Sequence, residues 1–242
     1  MKYALFASAV TVLAPALSAH ALELSPDFSL IGSVGLFSEY SSRGLSQTQR
    51  DPALQAFATV SHSSGFYLGA WTSNVDFGGD AKVRQEYDYY GGYIWQITDA
   101  ISLDLGYLKY TYPRTSSLNV SEKYAVLSGY GFVFGTYYSD DAYGGQTSVY
   151  TYGGYKFALP YESSLEVRYG KADFKDPSFF DKNGSARSSY HEWEAKLTKP
   201  LFGLDWSLSY IDTDLSRTEC GSYMSNDDVC SARVLAGVTK SF

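Results

Sequence analysis

The 242-residue chain has two cysteines, two methionines and three histidines. After its first 21 residues it lacks any apolar run of about 18 residues, which a membrane-crossing helix requires. Charge is sparse at 19% of residues, the net value is −7, and no basic stripe exists to neutralise phosphates, which argues against nucleic acid as a partner. There is no glycine period or heptad, excluding collagen-like and coiled-coil chains. HExxH, P-loop, dinucleotide and G-x-S-x-G patterns are missing as well. No metal or cofactor is expected. What the chain has in quantity is 23 Tyr, 14 Phe, 4 Trp and 22 Gly, an aromatic fraction of 17%. That composition excludes long disorder and points to an all-β protein with much half-exposed aromatic surface.

Met1–Ala21, MKYALFASAVTVLAPALSAHA, sets Lys2 ahead of an apolar stretch from Ala4 to Leu17. It closes on Ala19-His20-Ala21, the small-x-small form of a signal-peptidase site, so cleavage after Ala21 is expected. The stretch is too short for a retained anchor of about 20 residues. Cys220 and Cys230 lie close together in a polar segment with no His nearby, whereas a metal site wants four ligands. In an exported chain they are expected to form a disulfide that stiffens a loop.

Two-residue alternation broken by turn signals runs through residues 22–242. In Arg84–Trp95, Arg84, Glu86, Asp88 and Tyr90 share one face and Tyr87, Tyr89, Tyr93 and Trp95 the other. A helix would mix these sets, whereas a strand separates them. Leu204–Tyr210 alternates Leu204, Trp206, Leu208 and Tyr210 with Asp205, Ser207 and Ser209 in the same way. Twelve strands are expected, starting near positions 28, 53, 66, 84, 101, 123, 132, 146, 161, 190, 204 and 231. Longer polar connections, near 41–52, 76–83, 113–122, 139–145, 173–189 and 215–230, alternate with short ones. An even strand number with alternating loop lengths is the pattern of an outer-membrane β-barrel. A soluble exported barrel or sandwich is the alternative. Against it, the polar face is small and mixed in charge rather than rich in Lys, Thr and Glu, and aromatics collect near strand ends, as in the girdles at membrane interfaces. The chain ends in Phe242 with Val234, Ala236 and Val238 on the same face, the pattern read by outer-membrane assembly machinery; Lys240 interrupts it.

Gly35–Ala56, GLFSEYSSRGLSQTQRDPALQA, resembles the N-terminal signature of the TorF-type porins of proteobacteria. Ser64–Gly78, Glu86–Tyr93 and Tyr112-Pro113 follow in that family's order, and Ser42 stands where an aromatic is expected. The resemblance implies an outer-membrane barrel of a Gram-negative bacterium acting as a diffusion channel, without catalytic residues.

For a channel, inward charges at mid-strand matter most. The candidates are Arg84, Glu86, Asp88, Asp104, Glu166, Arg168, Glu192, Glu194, Lys196 and Arg233. Either they select a small polar solute or ion, or they neutralise one another inside a closed barrel. The segment Arg43–Pro52 is read either as an inward constriction, with Arg43, Gln47 and Arg50 as donors, or as an ordinary surface loop. Twelve strands make a narrower lumen than the 16 of openly aqueous porins. Two other functions stand beside the channel. A lipid hydrolase would use Ser189 and His191, which share a face but show no third group. A structural or binding barrel would want longer loops than these.

Overall fold

The computed structural model describes residues 21–79, 83–113, 115–224 and 226–242. The expected signal peptide, Ala21 aside, lies outside the described residues. Twelve antiparallel strands form one sheet that closes on itself: β1 (Phe28–Phe37), β2 (Ala53–His62), β3 (Phe66–Asn74), β4 (Gln85–Thr98), β5 (Ile101–Thr111), β6 (Val120–Gly129), β7 (Phe132–Asp141), β8 (Gln146–Ala158), β9 (Ser164–Phe174), β10 (Ser189–Leu201), β11 (Leu204–Thr213) and β12 (Arg233–Ser241). Each strand pairs with its sequence neighbours, and β12 pairs with β1 from Gly237 opposite Phe37 to Ser241 opposite Ser33. Closure removes every sheet edge, so each strand's backbone finds partners on both sides.

The expected strands are all present, and five start elsewhere. β4 begins at Gln85, β6 at Val120, β9 at Ser164, β10 at Ser189 and β12 at Arg233. The largest change on the long-loop side is β6. Its polar start, VSEK, reads as loop but keeps strand register opposite Tyr110 and Lys109 of β5. Two of the short turns, Tyr130-Gly131 and Phe202-Gly203, have positive φ at both positions, a tight hairpin geometry that matches strand twist.

Alternation decides which side chains enter the barrel. Leu208 is 52% exposed on the outside while Ser209 beside it is 6% exposed inside. Tyr87, Tyr89, Tyr107, Tyr138, Tyr169 and Tyr210 ring the exterior towards the long loops, and Phe66, Trp95, Phe132, Phe157 and Trp206 ring it towards the short turns. Between the rings lie Leu36, Leu68, Leu105, Phe134, Val167, Leu197 and Leu208. An apolar belt between two aromatic girdles is the exterior of a transmembrane barrel. Inside, glycines face tyrosines across strands, as at Gly69–Tyr90, Gly106–Tyr124 and Gly135–Tyr152. A Cβ on Gly106 would stand 2.3 Å from the Tyr124 ring, so glycine is what lets each ring lie flat on the wall. This pairing gives part of the glycine and tyrosine content a structural reason; the outer girdle and the turns take other members of both.

Candidate functional site

The connection from β1 to β2, residues 38–52, turns into the barrel. Ser41–Ser42 pairs with Leu45–Ser46 around Arg43 and Gly44, both at positive φ. The result is a tight hairpin whose tip points at the opposite wall. A Cβ on Gly44 would lie 2.5 Å from Thr213 and 2.8 Å from Glu192, so the tip seats only with glycine there. Tyr40, Arg43, Leu45, Ser46 and Gln47 are buried.

Contacts to every other strand around the wall hold the tip. One guanidinium nitrogen of Arg43 donates to both oxygens of Glu122 on β6, at 2.8 Å each. The same group stacks on Tyr150 of β8, 4.5 Å from its ring centroid. Tyr110 donates to Glu122, Tyr40 to Glu86 on β4, and Tyr190 of β10 to the Arg43 carbonyl. On β12, Arg233 forms an ion pair with Glu39 and donates to the Gly44 carbonyl at 3.0 Å. Both guanidiniums, Arg43 and Arg233, are thus matched by a carboxylate and by further contacts, as a buried charge requires.

A second long loop presses on the hairpin from above. Cys220 and Cys230 form the expected disulfide, both buried. Within the loop it closes, the Val229 carbonyl accepts from Ser46 N–H at 2.9 Å, Asn226 donates to Gln49, and Asp228 pairs with Arg50 at 2.7 Å. The adjoining helix Arg217–Tyr223 starts on a Ser216/Glu219 capping box. Its Tyr223 packs with Phe174, Phe179 and, through Phe179, Tyr190.

Beneath the hairpin, towards the short turns, is a chamber of about 620 Å³. Its ceiling includes Tyr40, Ser42 and Arg43, and its wall includes Lys156, Glu166, Arg168, Glu194, Lys196 and Asp205. Lys156 pairs with Glu166 at 3.1 Å, and Arg168 pairs with Glu194 at 3.0 Å and Glu192 at 3.2 Å. The far wall is filled by Tyr67, which donates to Asp104 at 2.6 Å and contacts the Tyr124 hydroxyl.

The candidate residues therefore occupy three places. Glu166, Arg168, Glu194 and Lys196 line the chamber, and Asp104 sits in the tyrosine cluster opposite. Glu86, Asp88, Glu192 and Arg233 are buried around the hairpin tip. Asp88 is fully buried, and neither carboxylate oxygen has a hydrogen-bond partner among the described residues. Arg84 corrects the expectation. It precedes β4, its side chain is 70% exposed, and it pairs with Asp76 in a long loop, because the ladder starts one residue later and leaves it above the wall. Of the loop candidates, Arg43 and Gln47 are inside, while Arg50 is half-exposed and held by Asp228. Glu122 and Glu39 were missed. Glu122 keeps two-residue register with Val120, Tyr124 and Val126, a signal the polar VSEK hides; Glu39 has no local signal.

His191 faces outward and stacks on Tyr169, with Nδ1 3.2 Å from Asp214. Asp214 also takes the His191 main-chain N–H and pairs with Arg187, which reaches Glu219. Burial alone would raise the Asp214 and Glu219 carboxyls. For Asp214, the His191 and Arg187 contacts prevail and hold it below its ordinary value. Ser216 and Arg187 do the same for Glu219. The Ser189 hydroxyl makes no hydrogen bond among the described residues, so the Ser189–His191 pair is not assembled as nucleophile and base.

Residues 21–242 match the family described as "Bacterial protein of unknown function (Gcw_chp)". No curated protein matches. Among solved structures, a NanC porin superposes with a TM-score of 0.53 at 11% identity, over 87% of this chain and 97% of that one. A KdgM porin gives 0.50 at 12%, over 88% and 98%. These likenesses are in fold: a closed barrel of the same size class.

Proposed function

The chain belongs to the Gcw_chp family, and we propose that it works as a narrow outer-membrane channel for passive diffusion of small polar solutes or ions. In this reading the long loops face outside, the short turns and both chain ends face the periplasm, and Met1–Ala21 is the export leader. Phe242, whose main chain pairs with Gly32 beside the closing strands, is the element presented to assembly machinery. The segments Arg43–Gln47 and Asp51–Gln55 favour the finer placement among TorF-type porins.

One observation carries the reading: a loop is folded into the lumen over a chamber lined by charged side chains. A barrel serving only as scaffold gains nothing from building charges into its interior, and here they line a volume suited to a small solute. Passage is limited by size at the Arg43 tip and graded by wall charge below it, without energy coupling. The inward loop and the braced long loops leave little to support a tether. The Ser189–His191 geometry offers a hydrolase no nucleophile.

The test is single-channel recording of refolded barrel in a planar bilayer, alongside a variant with residues 41–47 replaced by a short glycine–serine link. Small steps from the parent and larger ones from the variant are expected. Silence from both, with barrels shown to be inserted, would overturn the channel reading.

A further inference from the structure

Pairing leaves one ammonium over on the chamber wall. Lys156 is taken by Glu166, and Arg168 is taken by Glu192 and Glu194. Glu192 is fully buried, accepts the Tyr150 hydroxyl at 2.6 Å and does not reach the chamber. Lys196 sits on β10 opposite Glu166 on one side and Ser209 on the other, and forms no ion pair among the described residues. Around it the wall offers hydroxyls. Thr198 is two residues along, opposite Ser164 and Ser207, and the buried Ser164 Oγ has no partner. The other unpaired charge, Asp205, lies at the short-turn mouth opposite Pro200.

We propose that Lys196 sets the charge selectivity of this chamber by receiving a carboxylate or phosphate oxygen of a small anionic solute. Ser164, Thr198 and Ser209 supply the accompanying hydroxyl donors. A fixed charge in a narrow, low-dielectric passage concentrates counter-ions far more than the same charge on an open surface. Its ammonium has no internal carboxylate to give up before it meets a solute. Charge-assisted hydrogen bonds of this kind are the stronger class. The acidic side chains inside the barrel that have no ion pair among the described residues, apart from Asp205, stand away from the chamber wall: Asp88 is buried around the hairpin and Asp104 accepts the Tyr67 hydroxyl in the tyrosine cluster. The inference rests on the channel reading and names the solute class of that same chamber.

The experiment measures reversal potential across a KCl gradient, then block by inorganic phosphate added on the short-turn side. The parent is expected to prefer chloride over potassium and to be blocked by phosphate. Lys196→Gln should lose most of the preference and the block, Lys196→Glu should invert the preference, and Lys196→Arg should retain it. Lys109→Gln, on the outer wall, serves as control and leaves both unchanged. A parent that prefers potassium and loses that preference in Asp205→Asn would overturn the proposal, as would conducting barrels indifferent to every change at Lys196. Inserted barrels that conduct neither with nor without residues 41–47 would instead remove the channel reading itself, and this inference with it.

Discussion

Arg43 and Glu122 stand 79 residues apart in sequence and meet at 2.8 Å inside the barrel, one from a loop and one from the wall. Their pair is flanked by Tyr150, against whose ring the guanidinium lies, and by Tyr110, whose hydroxyl donates to Glu122.

Arg43→Ala is expected to enlarge single-channel conductance and to destabilise the barrel, because Glu122 is left charged and buried. Loss of one partner of such a pair costs about 3–5 kcal/mol. The double change Arg43→Met with Glu122→Leu should recover most of the stability while keeping the altered conductance. Unfolding in urea and bilayer recording on the same preparations separate the two effects. A single variant as stable as the parent would contradict the role given to the pair.

The Cys220–Cys230 bridge holds the segment that grips Ser46, Gln49 and Arg50. A thiol reductant, or Cys220→Ser with Cys230→Ser, should release that grip and turn quiet conductance into flicker between levels. Closing a loop of this length is worth roughly 2–3 kcal/mol in the chain-entropy account. Current traces before and after reduction provide the comparison, with the serine variant insensitive to reductant.

Orientation of the wall is checked at neighbouring positions. Leu208→Arg puts a guanidinium into lipid, at about 2–4 kcal/mol near the bilayer midplane, and should block folding into vesicles. Ser209→Arg, one residue on, points into the chamber. It should fold and conduct less. Equal folding yields for the two would mean that the faces are wrongly assigned.

Acid should loosen the loops before the wall. Asp214 and Glu219 are held below their ordinary values by partners made only in the folded state. Their stabilisation is complete above the unfolded values, about 3.9 and 4.3, and is lost as pH falls through the lower folded ones. Amide exchange in residues 179–191 and 214–223 should therefore quicken below about pH 4, while β5 to β7 stay protected. Asp214→Asn with Glu219→Gln should already exchange faster at neutral pH and respond less to acid.

Much of this architecture is written locally. The alternation of Leu204–Tyr210 or Glu86–Trp95 is enough to place strands and faces, since a period of two follows from strand geometry alone. The inward positions of Glu166, Arg168, Glu194 and Lys196 follow from parity. The depth of Arg43 does not, because the attachments that draw its loop inward come from Glu86, Glu122, Tyr150, Tyr190 and Arg233, scattered over five strands. Nothing within residues 38–52 distinguishes a loop that enters the barrel from one that stands above it. Arg84 fails for the converse reason, its parity being right but its height wrong. Glu122 escaped because a strand's polar beginning has the composition of a loop.

The Arg233–Glu39 pair lies at the junction where the last strand meets the first. β12 seals against β1 over only five residue pairs, and just beyond them Arg233 reaches across to the root of the hairpin and to the Gly44 carbonyl at its tip. A barrel closed with the loop left outside would leave this guanidinium inside the wall without Glu39 and the Gly44 carbonyl, the partners a buried charge requires. One side chain of the final strand thus fastens the closing seam and the inward loop together, so a change at Arg233 loosens both at once.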